Sequence, residues 1–192
     1  MILPIVAYGD PVLKRPGVEI KETYPGLEQL IGDMFETMYM AHGVGLAAPQ
    51  VGLSIRLFVV DASPYSEDHE ELKDFKRVLI NARKVETEGE EWLFSEGCLS
   101  IPDIREDIGR MQRITLSYLD KDFNPQVETF EGIAGRIIMH EYDHIEGKLF
   151  TDYLSPLKKR MLQARLEAIT KGEVKTEYKM RFPLRKKRLK KM

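Results

Sequence analysis

The feature that most constrains this chain is the run M-H-E-Y-D-H at residues 139–144, which contains the pattern H-E-x-x-H. On a helix, residues four apart lie on one face, so His140 and His144 can reach the same metal ion. Ile133 and Ile137 extend this stripe upstream. Glu141 would place a carboxylate where it can handle a proton of bound water. The run therefore predicts a helix with a metal site on an apolar face, although the same pattern also occurs on ordinary surface helices.

The one cysteine of the chain, Cys98, is the candidate third ligand. A lone cysteine is usually a small buried apolar residue, but this one follows Gly97 in a turn-like stretch between predicted strands. Two histidines and one further protein ligand leave a coordination position open, as in catalytic rather than closed structural zinc sites. Thiolate and imidazole together suit zinc or ferrous iron. A single cysteine cannot form an internal disulfide, which fits a reducing compartment.

The segment G-V-G-L-A-A-P-Q-V-G at residues 43–52 is dominated by small residues. It is not a phosphate loop, because no Lys-Ser/Thr pair follows and the dinucleotide spacing is missing. Two interpretations remain open. The segment is either a tight connection between a helix and a strand, or the backbone wall of a site to which Gln50 offers its side-chain amide.

Apolar periodicity predicts an α+β fold. Helical spacing predicts a helix over residues 26–41, which Gly43 would end, and a C-terminal helix from Ser155 and Pro156 to about residue 170. Apolar runs and alternation predict strands over residues 55–60, 77–80, 84–94, 112–119 and 127–130. Strands and helices that do not alternate regularly favour α+β over α/β.

Charge is unevenly distributed along the chain. Residues 171–192 contain ten Lys/Arg and two Glu, a local net charge of +8, so the other residues carry −10 for a total of −2. We predict a domain over residues 1–170 and a basic tail over residues 171–192, which is either solvated or contacts a polyanion. The N-terminus lacks the features of a signal peptide, and no apolar run is long enough to span a membrane. These observations predict a cytoplasmic protein with neither membrane nor DNA as a partner.

Three separated segments resemble the signature motifs of the peptide deformylases, in the order of that family. They are G-V-G-L-A-A-P-Q at residues 43–50, E-G-C-L-S at 96–100 and H-E-Y-D-H at 140–144. The likeness covers roughly residues 1–165. It implies antiparallel strands packed around a central metal-binding helix, with a C-terminal helix. It also implies a catalytic domain that removes the N-formyl group from the formyl-methionine of newly synthesised proteins and releases formate.

The resemblance further implies roles for individual residues. The ligands of one divalent ion would be Cys98, His140 and His144. The ion in the cell would be Fe2+, with Zn2+, Ni2+ or Co2+ as possible occupants. Glu141 would act as general base and then as general acid. Gln50 and the backbone N–H of Leu99 would hold the formyl oxygen.

The remaining implied roles concern the substrate. The backbone at Val44 and Gly45 would pair with the substrate peptide as a strand does. The residues lining the pocket for the methionine side chain would be Phe94, Ile133 and Ile137. Arg105 would lie near the downstream part of the peptide.

Two other functions remain open from the sequence. A zincin-type metallopeptidase also uses H-E-x-x-H, but it takes its third ligand downstream, and Glu146 is too close to serve. An inactive ribosome-associated binding protein could keep this fold, with the basic tail on ribosomal RNA near the exit tunnel. One departure from the family concerns residue 139, which is often Gln and is Met here. The partner for the second ring nitrogen of His140 is therefore unassigned.

Overall fold

The computed structural model of the protein describes residues 1–184. Its helices and strands, in chain order, are β1 (Ile5–Val6), α1 (Leu27–Met40), β2 (Gly45–Ala47), β3 (Leu57–Asp61), β4 (Lys76–Cys98), β5 (Ile101–Leu119), β6 (Pro125–Glu131), α2 (Gly132–Ile145), α3 (Pro156–Lys171) and β7 (Met180–Arg181). Over these residues, three α-helices and an antiparallel sheet confirm the predicted α+β fold. Over the described range, no helix combines the length and apolar character needed to cross a membrane.

One antiparallel sheet contains five strands in the order β2-β3-β4-β5-β6, so β2 lies at its edge. The prediction of two separate strands over residues 77–80 and 84–94 is wrong, because both ranges belong to the single long strand β4. The pairing of β4 with β5 shifts register at several places, the first between Ile80 and Arg83. Such bulges bend a strand without ending it. They interrupt the alternation of apolar residues, which is why the sequence resembled two strands.

Strand β3 is apolar on both faces because both faces of the sheet are covered. Phe58 and Val60 belong to a core cluster with residues of α2, whereas Leu57 and Val59 belong to a cluster with residues of α1. Successive side chains of a strand point to opposite faces, so a doubly covered strand needs an unbroken apolar run. Most residues of α2 are buried, which confirms that the helix carrying H-E-x-x-H is central.

Helix α1 ends in a Schellman motif. The Gly43 N–H donates to the Met38 carbonyl at 2.9 Å, and the His42 N–H donates to the Tyr39 carbonyl at 3.0 Å. The left-handed residue of this motif is His42, with φ of 55°, and not Gly43. Glycine was the expected terminator because it adopts positive φ without strain. Here Gly43 is the next residue, where the chain turns toward β2.

Helix α3 begins and ends as predicted. The Ser155 hydroxyl accepts from the Lys158 N–H at 3.3 Å, and Gly172 ends the helix with φ of 72°. The following residues return to the body, where β7 pairs in parallel with β1. The boundary after residue 170, between catalytic domain and basic tail, stays a prediction. Residues 185–192, which contain six of the ten Lys/Arg of that tail, lie outside the described residues.

Candidate metal centre and active site

The end of β4 and the middle of α2 bring the three candidate ligands together. Cys98 is the last residue of β4, and His140 and His144 lie one turn apart on α2. One ligand atom from each residue lies within 4.8 Å of the other two. The Cys98 Sγ is 3.3 Å from the His144 Nε2. The side chains that the sequence proposed as ligands therefore form one compact cluster.

The chemistry of this cluster suits a divalent cation. Burial, together with the neighbouring His140, lowers the pKa of His144 well below its ordinary value and keeps that imidazole neutral, the form that binds metal. Burial also lowers the pKa of His140, but hydrogen bonds with Cys98 and Glu96 raise it well above its ordinary value. Cys98 and Glu96 thus surround this ring with groups that favour a positive charge. A metal ion would replace that positive charge, so the residues fit a metal site.

Glu96 holds His140 from the side away from the cluster. Its Oε2 is 3.0 Å from the His140 Nδ1, and its Oε1 accepts from Arg110 at 2.6 Å and from Arg136 at 3.1 Å. Burial alone would raise the pKa of Glu96, but the hydrogen bonds with His140 and Arg110 outweigh it and hold the pKa well below its ordinary value. Because Nδ1 is engaged, the other ring nitrogen of His140 is available to an ion.

No sequence pattern selects Glu96 as the partner of His140. Glu96 stands in one of the motifs, but carboxylates are common on strands and nothing in its spacing pointed to a residue 44 positions away. The Met139 side chain, at the position that departs from the family, packs instead in the core cluster of α2. Arg110 also contacts Asp143 at 2.7 Å, so the network ties β4, β5 and α2 together.

Glu141 is buried beside the cluster, with its carboxylate against the backbone of β2. Burial raises its pKa to about 7, although the charge of His140 lowers it. Over the described range, its Oε2 has no hydrogen-bond partner, and neither has the His144 Nδ1. A buried carboxylate with a free oxygen and a pKa near neutrality is suited to accept and return a proton.

Gln50 is buried, and one hydrogen bond fixes the orientation of its amide. Its Oε1 accepts from the backbone N–H of Ala47 at 2.8 Å. A backbone N–H can only donate, so the amide nitrogen must occupy the other side. That nitrogen lies 3.4 Å from the Cys98 Sγ. Leu99 follows Cys98 in the turn between β4 and β5, so both candidate donors adjoin the same ligand.

The edge strand β2 offers backbone groups to an extended peptide. The Asp61 N–H donates to the Val44 carbonyl at 2.9 Å, and Gly45 pairs with Val60. In an antiparallel ladder this bond makes Gly45 and Val60 a non-hydrogen-bonded pair, so the N–H and C=O of Gly45 point away from β3. The Val44 carbonyl is already used, whereas Gly45 directs both of its backbone groups to the open edge.

A cavity of about 740 Å³ adjoins these groups. The residues expected from the sequence that line it are Val44, Gly45, Gln50, Phe94, Cys98, Leu99, Arg105, Ile137, His140 and Glu141. Two expected site residues do not appear in this lining, as far as the described residues go. His144 lies deeper, and Ile133 packs against the core cluster of α2. The proposed contact of Ile133 with substrate stays a prediction.

The cavity also has a wall that sequence reasoning missed. Residues 175–178, in the segment between α3 and β7, line it. The Tyr178 hydroxyl donates to the carbonyl of Leu99 at 2.8 Å. This segment lies in the predicted tail, and its short polar sequence carries no motif that would have placed it at a site.

Glu146, the downstream carboxylate that we considered as a zincin-type ligand, does not point at the Cys-His-His cluster. Glu146 accepts from Arg56 at 2.6 Å and contributes to a separate ion pair. The third candidate ligand is Cys98, from a strand upstream of the helix. An α+β fold with a Cys-His-His cluster and a buried glutamate is the combination expected of a metal-dependent hydrolase.

Comparisons with known proteins identify the family within this class. The model of the polypeptide deformylase family matches residues 2–160. Peptide deformylase from Flavobacterium johnsoniae is 55% identical over 97% of this chain and 99% of its own length, and that from Cytophaga hutchinsonii is 48% identical over 97% and 100%. The crystal structure of a peptide deformylase from Legionella pneumophila aligns with a TM-score of 0.78 at 37% identity, over 90% of this chain and 98% of that chain. The chain belongs to the polypeptide deformylase family.

Proposed function

We propose that this protein is a peptide deformylase that hydrolyses the N-formyl group of an N-terminal formyl-methionine and releases formate. Its family membership supports this activity. One structural observation carries the proposal, namely that the Cys-His-His cluster, the buried Glu141 and the open edge of β2 all adjoin one cavity. The cavity thus combines a candidate metal site, the candidate base Glu141 and a surface for an extended peptide.

The residues of the chain suggest how the reaction would proceed. A divalent ion held by Cys98, His140 and His144 would activate water and polarise the formyl carbonyl. Glu141 takes a proton from the attacking water and passes it to the leaving amine, because its raised pKa allows both transfers near neutral pH. Gln50 and the backbone N–H of Leu99 donate to the formyl oxygen as negative charge develops on it.

The substrate peptide would lie along β2 as an added strand. Gly45 would donate and accept backbone hydrogen bonds at the open edge, next to Val44, and the methionine side chain would enter the part of the cavity lined by Phe94 and Ile137. Arg105, exposed at the cavity rim and bonded to the Ser95 carbonyl at 2.7 Å, would meet the downstream peptide. Backbone pairing tolerates varied sequences, as an enzyme acting on many nascent chains requires.

We propose Fe2+ as the ion in the cell, with Zn2+, Ni2+ or Co2+ able to occupy the same ligands. Thiolate and imidazole ligands suit ferrous iron and zinc, and the family resemblance favours iron. The test is metal analysis of protein purified without oxygen, combined with formate release after loading with each ion. We expect iron to be the bound metal and the iron-loaded protein to have the highest turnover. Zinc as both the bound and the most active metal would contradict the assignment.

The substrates are N-formyl-methionyl nascent chains, so we propose the cytoplasm as the location of the protein. We also propose that residues 185–192 add a contact with ribosomal RNA through their six Lys/Arg. Ribosome pelleting of the full chain and of a chain ending at residue 184, at two salt concentrations, tests this contact. Stronger pelleting of the full chain that weakens with salt is expected, and equal pelleting of both chains would contradict it.

Formate release from a formyl-Met tripeptide, by protein prepared without oxygen, tests the proposed activity. The matched control substrate carries acetyl in place of formyl. Release of formate with no release of acetate is expected of an enzyme that acts on the N-formyl group. Absence of formate release by folded, metal-containing protein would contradict the proposal and favour a non-enzymatic binding function.

A further inference from the structure

We infer that Tyr178, in the segment after α3, is a positioning residue for the proposed deformylation, because its hydroxyl holds the turn that presents the Leu99 N–H. The inference rests on the proposed function and extends it to a residue outside the three motifs. It gives residues 173–181 a specific role, since they carry this phenol into the active-site cavity.

Two anchors hold the segment that carries Tyr178. Upstream, Gly172 ends α3, and the Glu173 N–H donates to the Ala168 carbonyl at 2.9 Å. Downstream, the Ile5 N–H donates to the Lys179 carbonyl at 2.8 Å as β1 pairs with β7. Tyr178 directly precedes the second anchor. Its backbone is therefore fixed relative to the N-terminal strand rather than left on a loose tail.

The phenol of Tyr178 fixes Leu99 from one side. Its hydroxyl donates to the Leu99 carbonyl at 2.8 Å, and its half-buried ring packs in the same apolar cluster as the Leu99 side chain. From the other side, Leu99 Cδ1 would lie 2.8 Å from a Cβ added at Gly43. Leu99 is thus held both at its side chain and at its carbonyl.

This hydrogen bond limits the direction of the Leu99 N–H. Peptide units are planar, so the N–H and the carbonyl of Leu99 are related by two backbone rotations only. Cys98 belongs to the β4 ladder, and the Ser100 carbonyl accepts from the Tyr8 N–H at 2.8 Å. Cys98 and Ser100 are thus both held, and the hydrogen bond from Tyr178 restrains the peptide unit between Leu99 and Ser100. Without the hydroxyl, the turn would persist but its N–H would sample more orientations.

The expected effect on the reaction is moderate and specific to turnover. One ordinary hydrogen bond corresponds to about a tenfold change in rate. Loss of an oxyanion donor itself costs more, about 10²–10³. The Leu99 N–H acts on charge that develops in the transition state, so a looser N–H should lower kcat and leave KM nearly unchanged.

The test compares Tyr178→Phe with wild type and with the matched control Tyr118→Phe, all as full-length, metal-loaded protein. Tyr118 also donates its hydroxyl, to Glu128 at 2.6 Å, but it lies on the β5–β6 pair and does not line the described part of the cavity. Four quantities are measured, namely kcat and KM for a formyl-Met tripeptide, the melting temperature, and hydrogen exchange of the Leu99 amide by NMR.

The inference predicts about tenfold lower kcat, KM within about twofold and faster Leu99 amide exchange in Tyr178→Phe, while Tyr118→Phe keeps wild-type kcat, KM and Leu99 amide exchange. If Tyr178→Phe only lowers the melting temperature, with kcat and Leu99 exchange unchanged, the residue is merely structural and the inference is wrong. Wild-type protein that releases no formate would overturn the proposed function together with the inference. Active wild type and an equally active Tyr178→Phe would overturn the inference alone.

Discussion

Two buried glutamates near the candidate metal ligands have different surroundings, and these surroundings suit the two carboxylates to different roles. Glu96 contacts Arg110, Arg136 and His140, and its hydrogen bonds with His140 and Arg110 hold its pKa low against burial and keep it ionised. Glu141 has one oxygen without a partner among the residues described, and burial raises its pKa to about 7. The first is therefore suited to orient a ligand and the second to transfer a proton. The sequence identified Glu141 by its motif, but the partners that distinguish Glu96 come from distant elements.

Gln50→Ala tests the donor assigned to the formyl oxygen. We expect kcat to fall by about 10²–10³, because a donor aimed at developing charge is lost. Steady-state formate release is the measurement, with circular dichroism to verify the fold, since Gln50 also binds the Ala47 N–H. Gln126→Ala is the control, because Gln126 bonds to Asp120 in the hairpin turn between β5 and β6. Wild-type kcat in Gln50→Ala would disprove the role.

Glu96→Gln tests the support of His140. The substitution removes the charge that balances two buried guanidinium groups, and it weakens the orientation of the His140 ring. Metal affinity should fall about 10–100-fold, measured by competition with a chelator. Glu19→Gln is the matched control, because Glu19 forms an exposed ion pair with Arg83 at 2.7 Å. Equal metal affinity in both variants would show that Glu96 does not support the site.

At the scale of elements, the site depends on how closely α2 approaches the edge strand β2. A Cβ added at Gly45 would lie 2.7 Å from the Glu141 Cγ and closer still to its Oε1. Gly45 has no left-handed φ, so the position needs space and not backbone freedom. The small-residue segment connects α1 to β2 and also lines the cavity with its backbone, so both interpretations that the sequence leaves open describe it.

Gly45→Ala tests this close approach. The added methyl group should displace the Glu141 carboxylate and lower kcat about 10²-fold, the usual cost of misplacing a reacting group by about 1 Å. Bound metal should remain, because none of the three ligands is touched. The control is Gly32→Ala, where an added Cβ on α1 meets nothing within 4 Å and alanine favours the helix. Formate release by Gly45→Ala at the wild-type rate would contradict the packing argument.

The elements also show what a sequence can and cannot predict. The bounds of α1 and α3 follow from apolar spacing and from caps such as Ser155 and Gly172, which are local signals. The division of β4 into two strands is wrong, because bulges break the alternation of apolar residues without leaving a residue signature. The wall formed by residues 175–178 depends on pairing between the two ends of the chain, for which the sequence offers no local pattern.

At the scale of the whole molecule, packing of α2 and β4 in the fold brings the three candidate ligands together. One apolar cluster lies between α2 and the sheet, a second lies under α1, and a third joins α3 to the hairpin of β4 and β5. Cys98 packs against the third cluster, whereas the histidines lie on the helix that contributes to the first. The candidate ligand set could be predicted from motifs, but its geometry required the complete fold. Because ligands from separate elements meet at one point, a bound metal should also stabilise the folded state.

The decisive experiment follows formate release from a formyl-Met tripeptide as metal-stripped protein is titrated anaerobically with Fe2+. We predict no turnover after chelation and a linear recovery that stops at about one equivalent of Fe2+, because one Cys-His-His cluster binds one ion. Cys98→Ala protein should show no such recovery. Undiminished turnover by the stripped protein, or full recovery in Cys98→Ala, would contradict the assignment of this cluster as the catalytic metal centre.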